Sequence, residues 1–359
     1  MNTNNSDIVI GDITIKPGTH ADIELPAASL YTQTPINIPV HVIHGKKKGP
    51  CLFVVAGIHG DEINGVEIIR RLLRSSKFRG LHGTLIAVPI VNVYGFVSLS
   101  RYLPDRRDLN RSFPGSEKGS LASRLANVLI KEIISKCTHG IDLHTGSIHR
   151  SNLPQIRVNL DMPGIKDYAK SFMIPVIINS NLRDGSLREA CTEMDIPLIV
   201  YEGGEALRFD EVAIRAGVKG IRSVMKELGM IRTKTSGHTN KKVIEPMVAH
   251  SNKWVRAPES GIVHSFRDLG GHVKKGQSLG VIVDPFGHEE VEILSPLNGI
   301  IIGKNNLPLV NEGDAVFNIA CFEELAVMTS QVDTIQKMGP VISEGLFDTV
   351  NHDVNINEE

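Results

Sequence analysis

The sequence predicts an α/β fold, a mixed and mainly parallel sheet flanked by helices, followed by a small all-β domain. Three observations carry that reading. From about residue 50 to residue 230, short β-branched apolar runs alternate with helical segments, the pattern of strands joined by crossover helices. A polar, irregular stretch interrupts the pattern at 231–255. Beyond it the chain repeats itself in short strands and glycine turns.

Residues 1–49 read as strands attached to the main domain. IVIGDITI is followed by PINIPVHVIHG, where Ile36, Ile38, Val40 and Val42 alternate with less apolar residues as one face of a strand requires. Residues 50–230 form the expected catalytic domain. CLFVVAG, TLIAVPIV, GIDLH, IPVIIN and IPLIVYE are strand candidates of the kind buried on both faces. Between them Ile63, Val66, Ile69 and Leu72 recur at helical spacing, as do Leu121, Leu125, Val128 and Leu129. A third helix is expected over 209–228, stopped by Gly229. After the linker at 231–255, residues 256–321 contain two matching halves: Pro258 corresponds to Pro296, Gly261 to Gly299, Val273 to Val310 and Gly276 to Gly313. Residues 322–359 are a C-terminal extension with an acidic, apolar-poor end.

Basic and acidic side chains number 39 and 40, so no net charge calls for nucleic acid or an anionic membrane as partner. The opening MNTNNSDIVIGD lacks a signal-peptide layout, and no apolar run reaches the roughly 20 residues of a membrane span. Cys51, Cys137, Cys191 and Cys321 are far apart and form no CxxC pair; reduced thiols in or near the core are expected. Together these features point to a cytoplasmic protein with a small-molecule partner, and they are compatible with a homo-oligomer. Fourteen histidines are more than average and direct attention to a metal.

Four segments carry chemistry. In GIHGDE, His59 and Glu62 lie three apart where a buried strand gives way to a helix, so an imidazole and a carboxylate share one space. Alone, the pair reads equally as a surface histidine beside a capping carboxylate. IDLHTGS ends a strand on His144, at the edge where α/β folds place their sites. Taken together, two histidines and a carboxylate make a catalytic zinc set with an open fourth position. IPLIVYEGGE delivers Glu202 at the exit of an apolar strand, where a carboxylate needs a purpose such as general base catalysis, or else an arginine partner. Glu205 is its rival and reads as a solvated loop residue. SRYLPDRRDLNRSFPGS gathers Arg101, Arg106, Arg107 and Arg111 with Asn110, donors suited to carboxylates and developing oxyanions, with Asp105 and Asp108 to neutralise some of them.

These motifs, in this order, resemble the succinylglutamate desuccinylase / aspartoacylase family, a branch of the zinc carboxypeptidase fold, over about residues 50–225. The resemblance implies one Zn2+ per subunit on His59, Glu62 and His144, and a general acid/base at Glu202. It implies that Asn110 and Arg111 bind a substrate carboxylate and that Arg101 polarises the scissile carbonyl. Arg157, in PQIRVNL, falls where a further substrate contact is expected. The implied activity is removal of an acyl group from an N-acyl amino acid or similar small amide; the alternatives are a metallocarboxypeptidase of short peptides and a non-catalytic protein that docks a partner. The YEGGE turn and the clear terminal repeat depart from the better-known members. They bring the chain nearer to bacterial deacylases of the family, some of which remove acetyl groups from diamino acids. The repeat itself resembles the barrel-sandwich fold of biotinyl and lipoyl carrier domains. The place of the carrier lysine is about His288, and no Lys occurs between Gly276 and Lys304.

Overall fold

The structure, a computed structural model, describes residues 4–74, 78, 80–232, 245–249, 251–323 and 332. The amino-terminal part contains β1 (Ile8–Ile10), β2 (Ile13–Ile15), β3 (Thr19–Ser29), β4 (Pro35–His44) and β5 (Lys47–Ala56). Then follow α1 (Asn64–Leu73), β6 (His82–Val88), α2 (Val93–Val97), α3 (Leu121–Glu132), β7 (His139–Gly146) and β8 (Arg150–Val158). Next come α4 (Ile165–Ser171), β9 (Val176–Asn179), α5 (Leu187–Glu193), β10 (Leu198–Glu205) and α6 (Glu211–Glu227). The chain continues through β11 (Met247–Ala249), β12 (Ser251–Arg256), β13 (Gly261–Ser265), β14 (His272–Val273) and β15 (Ser278–Val283). The last strands are β16 (Glu290–Leu294), β17 (Gly299–Asn305), β18 (Leu309–Val310) and β19 (Ala315–Cys321).

One large sheet runs β12-β19-β17-β8-β10-β7-β5-β6-β4-β3, with β9 and β11 added beside β8. Its centre is parallel: β5 pairs with β6 and β7, and β7 with β10. Parallel pairs also join β8 to β9 and β9 to β11, but antiparallel pairs build the rest, so the expectation of a mainly parallel sheet holds for these strands and the whole sheet is mixed. The physical reason lies in the connections. Three residues separate β7 from β8, too few for a crossover helix, so β8 returns antiparallel against β10. The β3–β4 hairpin adds an antiparallel edge through β4 and β6.

Alternation along β5 explains the layers. Leu52, Val54 and Ala56 face a core built with α1, α4 and α6, while Phe53 and Val55 face a second core with α3 and α5. The helix expected over 209–228 is α6, capped by Asp210, whose side chain accepts from Ala213 N. Gly229 follows its end with φ +69°, where a side chain would be strained.

The stretch expected as an irregular linker is more ordered than its composition suggests. Met247–Ala249 extends the sheet parallel to β9, and β12 begins at Ser251; residues 233–244 and 250 lie outside the described residues. The repeat is visible in the pairing. β13 pairs with β18 and β14 with β17, so each half completes the other, and Gly276 and Gly313 both adopt positive φ in corresponding turns. Val273, Leu279, Ile301 and Phe317 are buried between the two halves. Of the C-terminal extension only Phe322, Glu323 and Val332 are described. The four cysteines are free, with Cys137 and Cys191 buried. No described helix is long and apolar enough to cross a membrane.

Candidate metal centre

Parallel strands deliver their carboxyl ends to one edge, and the site lies there. β5 exits into Gly57, whose φ of +62° turns the chain towards His59. Gly60 is pressed against α2: a Cβ there would fall 1.9 Å from the Gly95 carbonyl carbon. This close approach tucks His59 and Glu62 beneath the surface, at 4 % and 3 % exposure. β7 carries His144, at 6 % exposure, and β10 carries Glu202 directly opposite it in register.

Ligating atoms of His59, Glu62 and His144 lie within 4.8 Å of one another, a possible metal-binding triad. His59 Nδ1 is 2.7 Å from Glu62 Oε1, and His144 Nδ1 is 2.8 Å from Glu62 Oε2. The far nitrogens meet carboxylates: His59 Nε2 is 3.2 Å from Asp108 Oδ1, and His144 Nε2 is 2.8 Å from Asp142 Oδ2. Arg101 bridges Asp108 at 2.9 Å and Glu62 at 3.3 Å. Thr145 N donates to Glu62 Oε2 at 3.0 Å.

The electrostatics follow. Burial disfavours an imidazolium at His144, but Asp142 and Glu62 outweigh it and raise its pKa well above the usual histidine value. His59 is raised too: burial opposes, and Glu62 and Asp108 prevail. Burial alone would raise Glu62, but the two imidazoles hold it well below the carboxylate range.

A cavity of about 390 Å³ opens over the triad, and every site residue expected from the sequence lines it: His59, Glu62, His144, Glu202, Arg101, Asn110, Arg111 and Arg157. Asn110 Oδ1 accepts from Leu187 N at 2.9 Å, and Arg111 donates to the Asn110 carbonyl. Arg157 lies 3.0 Å from Glu202 Oε1, and Asn152 Nδ2 donates to Glu202 Oε2 at 2.6 Å. The arginine partner weighed for Glu202 is therefore present. Glu205 points elsewhere; its oxygens accept from His149 N and Asn306 Nδ2. Arg106 and Arg107 are exposed and do not line the cavity.

Sequence reasoning missed several contributors. Asp142 was within reach, because it lies two residues before His144 and so on the same strand face. Asp108, a neutralising charge by its sequence neighbourhood, touches His59. Asn64, fully buried, donates to the Gly203 carbonyl at 3.1 Å and accepts from Asp210 N, tying the His59 loop to the Glu202 turn. Arg150, Arg183, Arg188 and Trp254 also line the cavity. Burial and the neighbouring Arg157 bring the Arg188 guanidinium down to about 10. No local motif announces these residues, since they arrive through long-range pairing.

A large mixed α/β sheet thus carries a buried His-Glu-His cluster at the carboxyl ends of its central parallel strands. Residues 48–228 match the succinylglutamate desuccinylase/aspartoacylase catalytic domain, and the chain belongs to that family. It is 24 % identical over 297 residues to the N-alpha-acetyl-L-2,4-diaminobutyric acid deacetylase of Halomonas elongata, covering 79 % of this chain and 86 % of the relative. The fold is shared with a succinylglutamate desuccinylase/aspartoacylase from Rhodobacter sphaeroides: TM-score 0.75, 24 % identity, 84 % of this chain and 96 % of that one. It is also shared with product-bound ectoine utilization protein EutE (DoeB) from Ruegeria pomeroyi: TM-score 0.75, 23 % identity, 89 % of this chain and all of that one (100 %).

Proposed function

We propose that this chain is a zinc-dependent amide hydrolase that removes an acyl group from an N-acyl amino acid. The observation that carries the reading is the orientation of the two histidines. Each Nε2 lies beside an aspartate, and both Nδ1 atoms face the Glu62 carboxylate at 2.7 and 2.8 Å. With the rings neutral and Nε2–H donated to the aspartates, the Nδ1 lone pairs and the carboxylate converge on one point, and two imidazoles with one carboxylate are the donor set zinc favours in catalytic sites. The residues present therefore fit the metal. A zinc ion on His59, Glu62 and His144 supplies Lewis acidity, which makes water a nucleophile near neutral pH and polarises a carbonyl.

The chain's own groups account for the rest. Glu202 takes a proton from the attacking water and passes it to the amide nitrogen as the C–N bond breaks, so that a carboxylate and an amine leave. Arg101, beside Glu62, donates to the developing oxyanion. Arg111 and the Asn110 amide hold the substrate carboxylate, which fixes the reacting geometry. Arg157 balances Glu202 from the cavity wall and keeps nitrogens available for a substrate contact. Six arginines line the cavity against Glu62, Asp142 and Glu202, which favours an anionic substrate. The name of the Halomonas elongata relative supports an N-acetylated amino acid as its class.

The test is hydrolysis of a panel of N-acetyl, N-formyl and N-succinyl amino acids against dipeptides. Turnover of N-acyl amino acids is expected, at least ten times faster than any dipeptide. Turnover of dipeptides alone would make the protein a carboxypeptidase. No turnover of either class by fully metal-loaded protein would overturn hydrolysis altogether.

A further inference from the structure

We propose that the C-terminal β module is a working part of the catalytic site: it fixes Asn152, and Asn152 aims Glu202. The inference rests on the reading of Glu202 as the general acid/base. Glu202 stands where the β10 ladders become irregular: the register with both β7 and β8 shifts just after it. Its carboxylate is thus aimed by side chains, Arg157 on one oxygen and Asn152 on the other, both carried by β8.

What holds Asn152 comes from the module. β9 covers the outer side of β8 only at residues 155–158. At 150–152 the cover is β17, with Gly303 paired to Asn152, Lys304 to Ser151 and Asn305 to Arg150. On its other side Asn152 pairs with Gly204, so glycines flank it in both neighbouring strands. Gly303 is in close contact. A Cβ there would lie 3.2 Å from Asn152 Oδ1, 3.2 Å from Asn318 Cβ and 3.5 Å from the Trp254 ring. The Asn152 amide, at 6 % exposure, is therefore packed against Gly303, and a side chain there would press on it.

Two further residues, Asn306 and Trp254, secure the module. Asn306 N donates to the His149 carbonyl at 2.7 Å, and its amide reaches Ser151 Oγ at 2.7 Å and Glu205 Oε2 at 2.8 Å. One residue thus ties the module to β8 and to the strand end that bears Glu202. Trp254, from β12, lines the cavity, and the Arg150 guanidinium sits 5.4 Å from its ring centroid. Without this module residues 150–152 would be a bare sheet edge.

The experiment compares Asn152→Ala, Gly303→Val and the gentler Gly303→Ala, each alone, and Asn152→Ala combined with Glu202→Gln. Full-length proteins are assayed for kcat and KM on an N-acyl amino acid that the parent hydrolyses, with zinc content and melting temperature measured alongside. Asn152→Ala is expected to lower kcat about ten- to hundred-fold, the scale of a misplaced catalytic group, with KM within about twofold and zinc unchanged. Gly303→Val gives the same signature, and Gly303→Ala a weaker one. In the Glu202→Gln background, Asn152→Ala causes no additional loss, because the group it aims is already disabled. Parent-level kcat in Asn152→Ala and both Gly303 variants, or losses that multiply with that of Glu202→Gln, would overturn the proposal. Parent-level activity of Glu202→Gln itself would instead remove the base assignment beneath it.

Discussion

Replacing Asp142 tests how the triad is oriented. His144 Nε2 lies 2.8 Å from Asp142 Oδ2, with the two residues 6 % and 1 % exposed, so water cannot replace a lost partner cheaply. Asp142→Ala removes the acceptor that fixes the ring's tautomer and points Nδ1 at Glu62. Partners of this kind set metal affinity by about 10- to 100-fold, or about 1.4–2.7 kcal/mol. Asp142→Asn keeps an acceptor but loses the charge, and its effect is expected near the lower end of that range. It also places an amide N–H where Asp142 Oδ1 is buried without a hydrogen-bond partner, so its melting temperature is expected to fall. The assay is zinc titration in competition with a chelating dye, paired with the rise in melting temperature on adding zinc, which shrinks as affinity falls. A folded Asp142→Ala protein with the parent's zinc affinity would refute the reasoning.

Glu202→Gln is expected to keep its zinc and lose about two to four orders of magnitude in turnover; near-parent turnover would show that another group moves the proton. Arg111→Ala is expected to raise KM about tenfold or more for substrates with a free carboxylate and little for their neutral amides, and equal effects on both would remove it as the clamp. Glu67 offers a pH test away from the site. Hydrogen bonds from Arg70 at 2.6 and 2.8 Å, with a further one from Arg71, bring its pKa from 4.5 to about 2. The lowered value means that the stabilisation is full above pH 4.5 and is lost as pH falls towards about 2. Glu67→Gln should therefore melt about 2–4 °C below the parent at pH 7, with the gap closing on acidification; a gap constant with pH would contradict the ion-pair account.

How much of this was legible in the sequence depended on how local each signal is. His59, Glu62 and His144 each stand at the exit of an apolar run, and both the donor chemistry and the strand end lie within a few residues of one another. The parallel centre was legible for the same reason, through runs such as CLFVVAG and IPLIVYE that alternate with helical spacing. The antiparallel position of β8 was not. Its sequence, RSNLPQIRV, mixes polar residues and a proline, and its place is set by antiparallel partners distant in the chain, Glu202 and Gly303 among them. Asn152, Arg157 and Trp254 could not be brought to Glu202 without that pairing. β11 was missed because a three-residue strand has no period to read. The paired glycines Gly276 and Gly313 did expose the repeat, but its attachment to β8 through Gly303 depends on a close approach that composition does not reveal.

The central claim is that the His59–Glu62–His144 cluster holds the zinc on which hydrolysis depends. The most direct measurement is metal content and activity on the same sample, as purified, after removal of metal by a chelator, and after zinc is restored. The expected result is one zinc per chain, activity lost with the metal and regained with it, and neither zinc nor activity in His144→Ala. Full turnover by metal-free protein, or a His144→Ala variant with one zinc and parent activity, would contradict the account.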